Sequence, residues 1–353
     1  MTVHLYRDRF FLRHDAGPGH PENARRVEAV IRSLESSPIE GVVDCSPPAA
    51  TREQLLRVHH EHHIDRVAAT DGERRTFLDP DTSTCPDSYR VALRAAGASV
   101  QSTEDVVRGD ASGAFALVRP PGHHAESNEA MGFCLFNNVA VAAAHAIEEL
   151  GLSRVLVLDP DVHHGNGTQE IFFGRKDVLF VSSHRYPFYP GTGWFDEIGE
   201  GDGTGYTVNL PMPPLFTDSD VVHLYSELVG PIVEEFRPEI ILVSAGFDTW
   251  HEDPLGMLKM TEAGYVALFR LFRSWAIHHC PGRIVAILEG GYEPKGVVAG
   301  VCSALEVMTE PEAKTLAGVA DLASLGPVSE SARAIVENAR RTLSPHWPLL
   351  EPA

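Results

Sequence analysis

The sequence predicts an α/β fold, a single domain over residues 1–353 in which a parallel β-sheet is sandwiched between helices on both faces. Five short apolar runs predict the strands. None of them alternates polar with apolar residues, which is typical of parallel strands buried on both faces. Helical patterns separate most of the runs, and no linker interrupts them. The runs are Ala114–Val118, Val155–Leu158, Val178–Val181, Ile240–Val243 and Ile284–Leu288.

The helices are predicted from apolar residues at helical spacing and from the residues that begin and end each segment. Ahead of them, His4–Tyr6 is predicted to be an edge strand. The segment Tyr186–Pro214 is rich in glycine and proline and is predicted to be a long loop, either a pocket wall or an assembly surface of a homo-oligomer. The predicted helices are Arg25–Leu34, Arg52–Val58, His62–Thr70, Pro86–Val107, Asn138–Leu150, Asp220–Phe236, Thr261–His278 and Glu330–Thr342.

Charge and composition argue against several classes of protein. The formal net charge is −20, which disfavours binding to nucleic acid and is compatible with a cationic substrate or with simple solubility. No apolar run reaches the ~18 residues of a membrane helix, and the N-terminus has no signal-peptide pattern. The five cysteines are scattered and form no C-x-x-C pair. They therefore predict reduced thiols in a cytoplasmic protein.

Polar side chains framed by glycine follow four of the five predicted strands. His123 and His124 follow the first, Asp159–His163 the second, Asp248 the fourth and Tyr292 the fifth. Ligands of open α/β sheets bind at the carboxyl ends of the strands. The sequence therefore predicts one functional site at this edge of the sheet.

Three of these residues have the chemistry of a metal site. Asp161 and His163 are two residues apart in an extended segment, so their side chains point the same way. Asp248 is the third candidate ligand. A catalytic zinc ion takes three protein ligands of this kind and keeps one position open. One zinc ion per chain is therefore predicted.

The other polar residues suit a hydrolase. Of the adjacent His123 and His124, one can act on water while the other holds charge. Asp159 and Asn166 are candidates to fix the tautomers of the two rings. Tyr292 is a neutral donor at pH 7 that can hydrogen bond a substrate carbonyl, which zinc would also polarise. These residue types together indicate a hydrolase.

At these residues the chain resembles the zinc-dependent histone deacetylase family, within the arginase–deacetylase fold superfamily. The matching motifs follow the family order over roughly residues 17–300. Asn166 and the Glu289–Tyr292 variant are similar to the class II and bacterial amidohydrolase branch. The motifs are Pro120–Ala125, Gly132–Asn138, Asp161–Gln169, Pro190–Gly193, Ala245–Asp248 and Glu289–Tyr292.

The resemblance implies a role for each polar residue. It implies that Asp161, His163 and Asp248 bind zinc. His124 would be the general base and then the acid that protonates the leaving amine. The remaining implied roles are orientation of His124 by Asn166, charge stabilisation by His123 paired with Asp159, and an oxyanion donor at Tyr292.

The resemblance also implies a substrate channel and a second metal. Phe133, beside Gly132, and Tyr189 would be the aromatic walls of an acyl-lysine channel. Asp81 falls near a family position that binds the substrate backbone, and Leu255 would lie at the channel. A structural potassium ion is implied at Asp159, Asp161, His163 and Ser182.

Several alternatives stay open from the sequence. The leading substrate is an acylated lysine of a protein or peptide. The closest rival is an acetylated polyamine or a similar acylated small amine, but Leu255 stands where polyamine-selective relatives would carry glutamate. Glu126, Glu129 and Glu252 remain candidate acids at the channel rim for such a cation. A binuclear arginase-type hydrolase would leave the histidine pair and Tyr292 unexplained. A non-catalytic acyl-lysine binder would be expected to lack a metal ligand or Tyr292.

Two further points concern single residues. Pro160 departs from the family pattern between Asp159 and Asp161, and its ring restricts the backbone of Asp159. The contact of Asp159 with His123 and the potassium site are the features that Pro160 would disturb first. His164 is predicted to be structural, because it points opposite His163. The histidines within His59–His63 are predicted to form a polar helix junction.

Overall fold

The centre of the molecule is an eight-stranded sheet, and every neighbouring pair of its strands is parallel. The computed structural model describes residues 1–351. The order across the sheet is β2-β1-β5-β10-β9-β6-β7-β8, while β3 and β4 form a separate antiparallel hairpin. The strands are β1 (Val3–Tyr6), β2 (Val42–Cys45), β3 (Thr76–Asp79), β4 (Thr82–Thr84), β5 (Gly113–Ala116), β6 (Val155–Asp159), β7 (Val178–Arg185), β8 (Thr207–Met212), β9 (Ile240–Ala245) and β10 (Ile284–Leu288).

Helices cover the sheet on both faces, which confirms the predicted fold class. They are α1 (Arg25–Ser36), α2 (Arg52–Leu56), α3 (Glu61–Ala68), α4 (Ser88–Arg108), α5 (Asn138–Glu148), α6 (Asn166–Phe172), α7 (Asp218–Leu224), α8 (Gly230–Phe236), α9 (Glu262–His279), α10 (Pro294–Thr309), α11 (Glu312–Ala320) and α12 (Glu330–Leu343). Short 3₁₀ segments lie at Arg9–Arg13, Gly201–Gly203, Leu322–Leu325 and Pro348–Leu350.

Strand β6 shows how one apolar run builds two cores. Val155 and Val157 pack into the core on the face of α4 and α5. Leu156 and Leu158 pack into the core on the opposite face, with α1, α9 and α10. Successive side chains of a strand point to opposite faces, so a strand buried twice needs apolar residues throughout. This is the physical reason for the missing alternation in the sequence.

The predicted helix Asp220–Phe236 is divided in the structure. It consists of α7, one π turn at Tyr225–Val229, and α8. Pro231 stands in the first turn of α8. Because proline has no N–H, the preceding turn loses one helical hydrogen bond, and the wider turn lies at this position.

Two predictions about the sheet were wrong. His4–Tyr6 is not an edge strand, because β1 pairs with β5 on one side and with β2 on the other. Strand β2 has no fully buried residue and gives only a weak apolar signal. The predicted loop Tyr186–Pro214 contains β8, which pairs with β7 and forms the far edge of the sheet. Pro211 within β8 argues against a strand in the sequence, but proline is tolerated in a strand at the edge of a sheet.

Two other observations bear on the sequence predictions. The five cysteines are free thiols. Across residues 1–351, no helix combines the length and the apolar character needed to cross a membrane.

Candidate active site

The polar residues predicted at the strand ends come together at one edge of the sheet. Strands β5, β10, β9 and β6 are consecutive neighbours, although they are far apart in the chain. Their carboxyl ends deliver His123 and His124, Tyr292, Asp248, and the segment Asp159–His163. The sheet order therefore builds one site from four loops, as the strand-end pattern predicts.

Asp161, His163 and Asp248 form a compact, buried set of metal-ligating atoms. One donor atom from each residue lies within 4.8 Å of the other two. His163 Nδ1 is 3.1 Å from Asp161 Oδ1 and 3.1 Å from Asp248 Oδ2. Two carboxylates and one imidazole suit a zinc ion. The residues therefore fit that metal by type, number and convergence.

The electrostatics of this set also favour a bound cation. Burial and the negative charge of Asp161 raise the pKa of Asp248 to about 7. Burial opposes protonation of His163, but hydrogen bonds to Asp161 and Asp248 outweigh it and raise its pKa to about 9. Two buried carboxylates held this close need a positive charge between them.

Backbone N–H groups and two glycines hold the carboxylates in place. Asp161 Oδ2 accepts from the backbone N–H of Gly290 at 2.9 Å, and Asp248 Oδ1 accepts from that of Val162 at 2.8 Å. A Cβ atom at Gly246 or Gly290 would overlap the carboxylate of Asp161. The glycines that frame these motifs are therefore required by the close approach of the backbone.

The two adjacent histidines have different partners and different charges. His123 Nδ1 lies 3.0 Å from Asp159 Oδ2, so Pro160 leaves that contact intact. Burial opposes protonation of His123, but Asp159 and Asp161 raise its pKa to about 10. His124 Nδ1 lies 2.8 Å from the neutral Asn166 Oδ1. Burial and the positive charge of His123 hold the pKa of His124 well below its usual range. At pH 7 the first ring is therefore charged and the second neutral.

Glu289 anchors the histidine loop, a contact that the sequence analysis did not predict. Its Oε2 accepts from the backbone N–H groups of Gly122 at 2.6 Å and His123 at 3.1 Å. Burial raises the pKa of Glu289 to about 7. The only signal in the sequence was a carboxylate directly after the fully apolar strand β10.

A narrow channel of about 210 Å³ leads to the metal-ligating atoms. All five predicted channel residues line it: Asp81, Gly132, Phe133, Tyr189 and Leu255. His124, His163 and Tyr292 complete the lining together with Phe188, which the sequence analysis missed. The Phe188 ring stacks on the His163 ring at a centroid distance of 5.0 Å. In the sequence, the only indication that Phe188 lines the channel is its position next to Tyr189.

The hairpin of β3 and β4 fixes the strained part of the channel. Gly132 and Phe133 both have left-handed backbone conformations, with φ of +56° and +70°. Asp81 Oδ1 accepts from the Gly132 backbone N–H at 3.1 Å, and Thr82 Oγ1 accepts from the Phe133 backbone N–H at 2.9 Å. Left-handed phenylalanine is costly and persists where its surroundings fix it. Asp81 therefore supports the channel as well as lining it.

Tyr292 is held by two groups that the sequence analysis missed. Asp253 Oδ2 accepts from the Tyr292 backbone N–H at 2.6 Å, and Asp253 Oδ1 accepts from that of Leu255 at 2.9 Å. The guanidinium of Arg26 lies 5.0 Å from the centre of the Tyr292 ring and donates to the carbonyl of Gly291. Burial raises the pKa of Tyr292 well above 10, so its hydroxyl stays a donor at pH 7.

The remaining predicted residues lie around this centre. Ser182 is the cross-strand neighbour of Asp159 between β7 and β6, and its Oγ is 2.9 Å from His184 Nδ1. The His164 ring contacts Thr192 and Gln169 instead of the channel, as expected for a structural residue. His59 and His63 are buried against backbone carbonyls at the start of α3 and do not reach the site.

Comparison with known proteins shows the family of the chain. The profile of the histone deacetylase domain matches residues 20–308. The chain belongs to the histone deacetylase family. A probable deacetylase of Archaeoglobus fulgidus is 38% identical over 314 residues, covering 86% of this chain and 87% of that protein. A histone deacetylase-like amidohydrolase of Pseudomonas aeruginosa is 39% identical over 282 residues, covering 78% and 73%.

A solved structure extends the similarity to the whole fold. The crystal structure of the HDA15 HD domain superposes with a TM-score of 0.90 at 35% identity, covering 99% of this chain and 96% of that one. Some plant relatives are longer, and the chain spans about half their length. Family membership identifies this histone deacetylase homologue as a hydrolase of amides, in a family that generally depends on zinc.

Proposed function

We propose that residues 1–353 form one catalytic domain that removes acetyl or other acyl groups from lysine side chains of proteins or peptides, with one zinc ion. The observation that carries the proposal is the histidine pair. A neutral and a charged imidazole lie side by side, with ring centroids 4.0 Å apart, beside the buried Asp161–His163–Asp248 set. The neutral ring can take up and return a proton during amide hydrolysis, and the charged ring beside it can stabilise negative charge that develops on the substrate.

Asp161, His163 and Asp248 would hold the zinc ion. When bound, zinc supplies Lewis acidity that polarises the amide carbonyl and makes water more acidic at neutral pH. Asp161 also affects the histidine pair: burial opposes protonation of His123, but Asp159 and Asp161 raise its pKa.

His124 is the proposed general base. Its Nδ1 faces the amide oxygen of Asn166, so Nδ1 carries the proton and Nε2 is free to accept one. It takes a proton from the attacking water and later gives it to the leaving lysine amine. A pKa held low by burial keeps His124 ready as a base at neutral pH. His123, charged and paired with Asp159, stabilises the negative charge that develops on the substrate.

Tyr292 is the proposed oxyanion donor. It is protonated at pH 7, it lines the channel, and its backbone is fixed by Asp253. Its hydroxyl donates to the substrate carbonyl and binds the oxygen more tightly as negative charge builds up there. A donor placed in advance for such a charge contributes most in a water-poor site.

The channel favours an acyl-lysine over an acetylated polyamine. Phe133, Phe188, Tyr189 and Leu255 give it apolar walls that suit an alkyl stem. Asp81 is the one carboxylate among its lining residues. Of the candidate rim acids, Glu126 hydrogen bonds to Asn166, and Glu129 and Glu252 are exposed residues outside the lining. A polycation would therefore find little negative charge along the channel.

A structural potassium ion is the last part of the proposal. Asp159 and Ser182 are buried cross-strand neighbours behind the histidine pair. Their oxygen atoms are the hard ligands that such a cation prefers. The ion would sit beside Asp161 and His163 and stabilise the loop that carries the zinc ligands.

The deciding experiment is a turnover assay on the zinc-loaded protein. The substrates are an acetyl-lysine peptide, a longer-acyl-lysine peptide and an acetylated polyamine, each with and without a chelator. Chelator-sensitive cleavage of the peptides alone is the expected result. Preference for the polyamine would keep the chemistry and overturn the substrate class. Binding of the peptide without cleavage of any substrate would instead identify an acyl-lysine binder.

A further inference from the structure

A chain of three side chains leads away from His124. His124 Nδ1 lies 2.8 Å from Asn166 Oδ1, and Asn166 Nδ2 lies 2.8 Å from Glu126 Oε1. Asn166 Nδ2 has a second, weaker acceptor in Met131 Sδ at 3.4 Å. The side chain of Asn166 therefore links the catalytic histidine to a carboxylate.

The carboxylate decides which way the amide of Asn166 points. An ionised carboxylate only accepts hydrogen bonds, whereas an amide has one donating end and one accepting end. Glu126 therefore holds the NH₂ end of Asn166 and directs its oxygen at His124. An amide oxygen requires a proton on the facing ring nitrogen, so the proton of neutral His124 stays on Nδ1 and leaves Nε2 bare.

We propose that Glu126 is a positioning residue that fixes the base-competent tautomer of His124 through the amide of Asn166. The inference deepens the proposed function and depends on the base role of His124 given there. Glu126 touches neither the channel nor the metal-ligating set.

The hydrogen bond from Asn166 is the specific polar contact of the Glu126 carboxylate. Among residues 1–351, no basic side chain forms an ion pair with it. It shares a cavity of about 410 Å³ with Asn166 and three further glutamates, Glu170, Glu197 and Glu200. An acid with acidic neighbours gains nothing from a general electrostatic role here, so the directed contact with Asn166 explains its position.

Replacement of the carboxylate should leave the loop in place. The backbone N–H of Glu126 donates to the Glu129 carbonyl at 2.9 Å, and its carbonyl lies 3.0 Å from His59 Nδ1. The side chain is only half-buried. The variant Glu126→Gln keeps its size and removes its charge, so it tests hydrogen-bond direction with little change in packing.

The first test is a double-mutant cycle. A glutamine can pair with either orientation of Asn166, so Glu126→Gln should lower kcat by roughly 10-fold with KM and zinc content unchanged. In the Asn166→Asp background, the new carboxylate at position 166 faces the carboxylate of Glu126 and the two repel each other. Adding Glu126→Gln to that background replaces the second carboxylate with an amide, whose NH₂ group can donate to position 166. In that background the same substitution should raise kcat. The control Glu129→Gln, an exposed acid of the same loop, should have no effect in either background.

A merely structural role would give a loss in both backgrounds, and that result would overturn the inference. The second test reads the tautomer without turnover, from ¹⁵N chemical shifts of labelled histidines, with the His124 signals assigned by their loss in His124→Ala. Wild type should show the Nδ1–H form, and Glu126→Gln should add the Nε2–H form. A Glu126→Gln spectrum identical to that of the wild type would contradict the inference. If wild type cleaves no acyl-lysine substrate, the proposed function fails, yet the spectrum still decides the role of Glu126.

Discussion

At the scale of the residue, two adjacent histidines differ in charge because their surroundings differ: burial and the neighbouring charge of His123 keep His124 neutral, whereas Asp159 and Asp161 keep His123 charged. His123 faces a carboxylate oxygen of Asp159 and is charged, while His124 faces the amide oxygen of Asn166 and is neutral. The sequence showed that two histidines would have two tasks, but their adjacency alone did not divide those tasks. The division depends on long-range pairings across 36 and 42 residues, which only the fold creates.

Replacing His124 with alanine should abolish turnover and leave zinc bound. The ring lies outside the metal-ligating set, and the other imidazole that lines the channel, His163, belongs to that set and cannot replace it as the base. The measurements are kcat on an acyl-lysine peptide and zinc content by plasma emission. Substantial remaining activity would transfer the base role to His123.

Replacing Tyr292 with phenylalanine should lower kcat by roughly 10²-fold or more, the cost of a lost oxyanion donor. Zinc content and stability should change little, because the phenol hydroxyl has no hydrogen-bond partner among the described side chains and its ring packing is retained. Steady-state kinetics at pH 7 measure the effect. Near-normal turnover would remove Tyr292 from the mechanism.

At the scale of the element, strand ends and the loops after them determine the site. The apolar strands and their polar ends were predictable, because burial on both faces leaves a strong pattern in β6, β9 and β10. The carboxylates that anchor these loops were not predictable from the sequence. Asp253 and Glu289 accept hydrogen bonds from backbone N–H groups of other loops. Every residue except proline has such an N–H group, so the sequence does not show which of them will be the donors. Strand β8 was not predicted for a different reason: it contains Pro211, and proline is not expected inside a strand unless that strand lies at the edge of the sheet.

Asp253 ties two loops together and should be sensitive to truncation. It accepts four backbone N–H groups, from Leu255, Gly256, Tyr292 and Glu293. Asp253→Ala leaves these donors without a partner, so we expect roughly 10-fold lower kcat and a loss of about 2 kcal/mol of unfolding free energy. Kinetics and urea unfolding measure both. The exposed neighbour in Glu252→Ala is the control, and an equal effect there would contradict the assignment.

At the scale of the whole molecule, buried neutral histidines link stability to pH. Burial lowers the pKa of His59 to about 3 and those of His14, His63 and His164 to about 4. The unfolded chain binds protons at these rings below about pH 6.5, whereas the folded chain does not. Their contribution to stability is therefore present above pH 6.5 and is lost as the pH falls towards 4.

His63→Gln should make the zinc-loaded protein less sensitive to acid. A glutamine can still donate to the Leu135 carbonyl, which His63 Nε2 contacts at 2.9 Å, but it takes up no proton on unfolding. Relative to wild type, the variant should lose about 2 kcal/mol less unfolding free energy between about pH 7 and pH 5. Urea unfolding at the two values measures this. The exposed His62→Gln, in the same helix, should behave like wild type.

The order of the strands also has a consequence for the time at which the protein acquires its fold during synthesis. Strand β10 lies between β5 and β9 in the sheet, yet it is the last of the ten strands to be synthesised. Without β10 the sheet would consist of two separate parts, β2-β1-β5 and β9-β6-β7-β8, each with an unpaired inner edge. Gly290 and Tyr292 follow β10 directly, so the metal ligands gain their last backbone donor only when that strand inserts. The active centre therefore cannot be complete until β10 has been synthesised and has inserted between two strand edges, and unpaired edges of this kind are prone to aggregation.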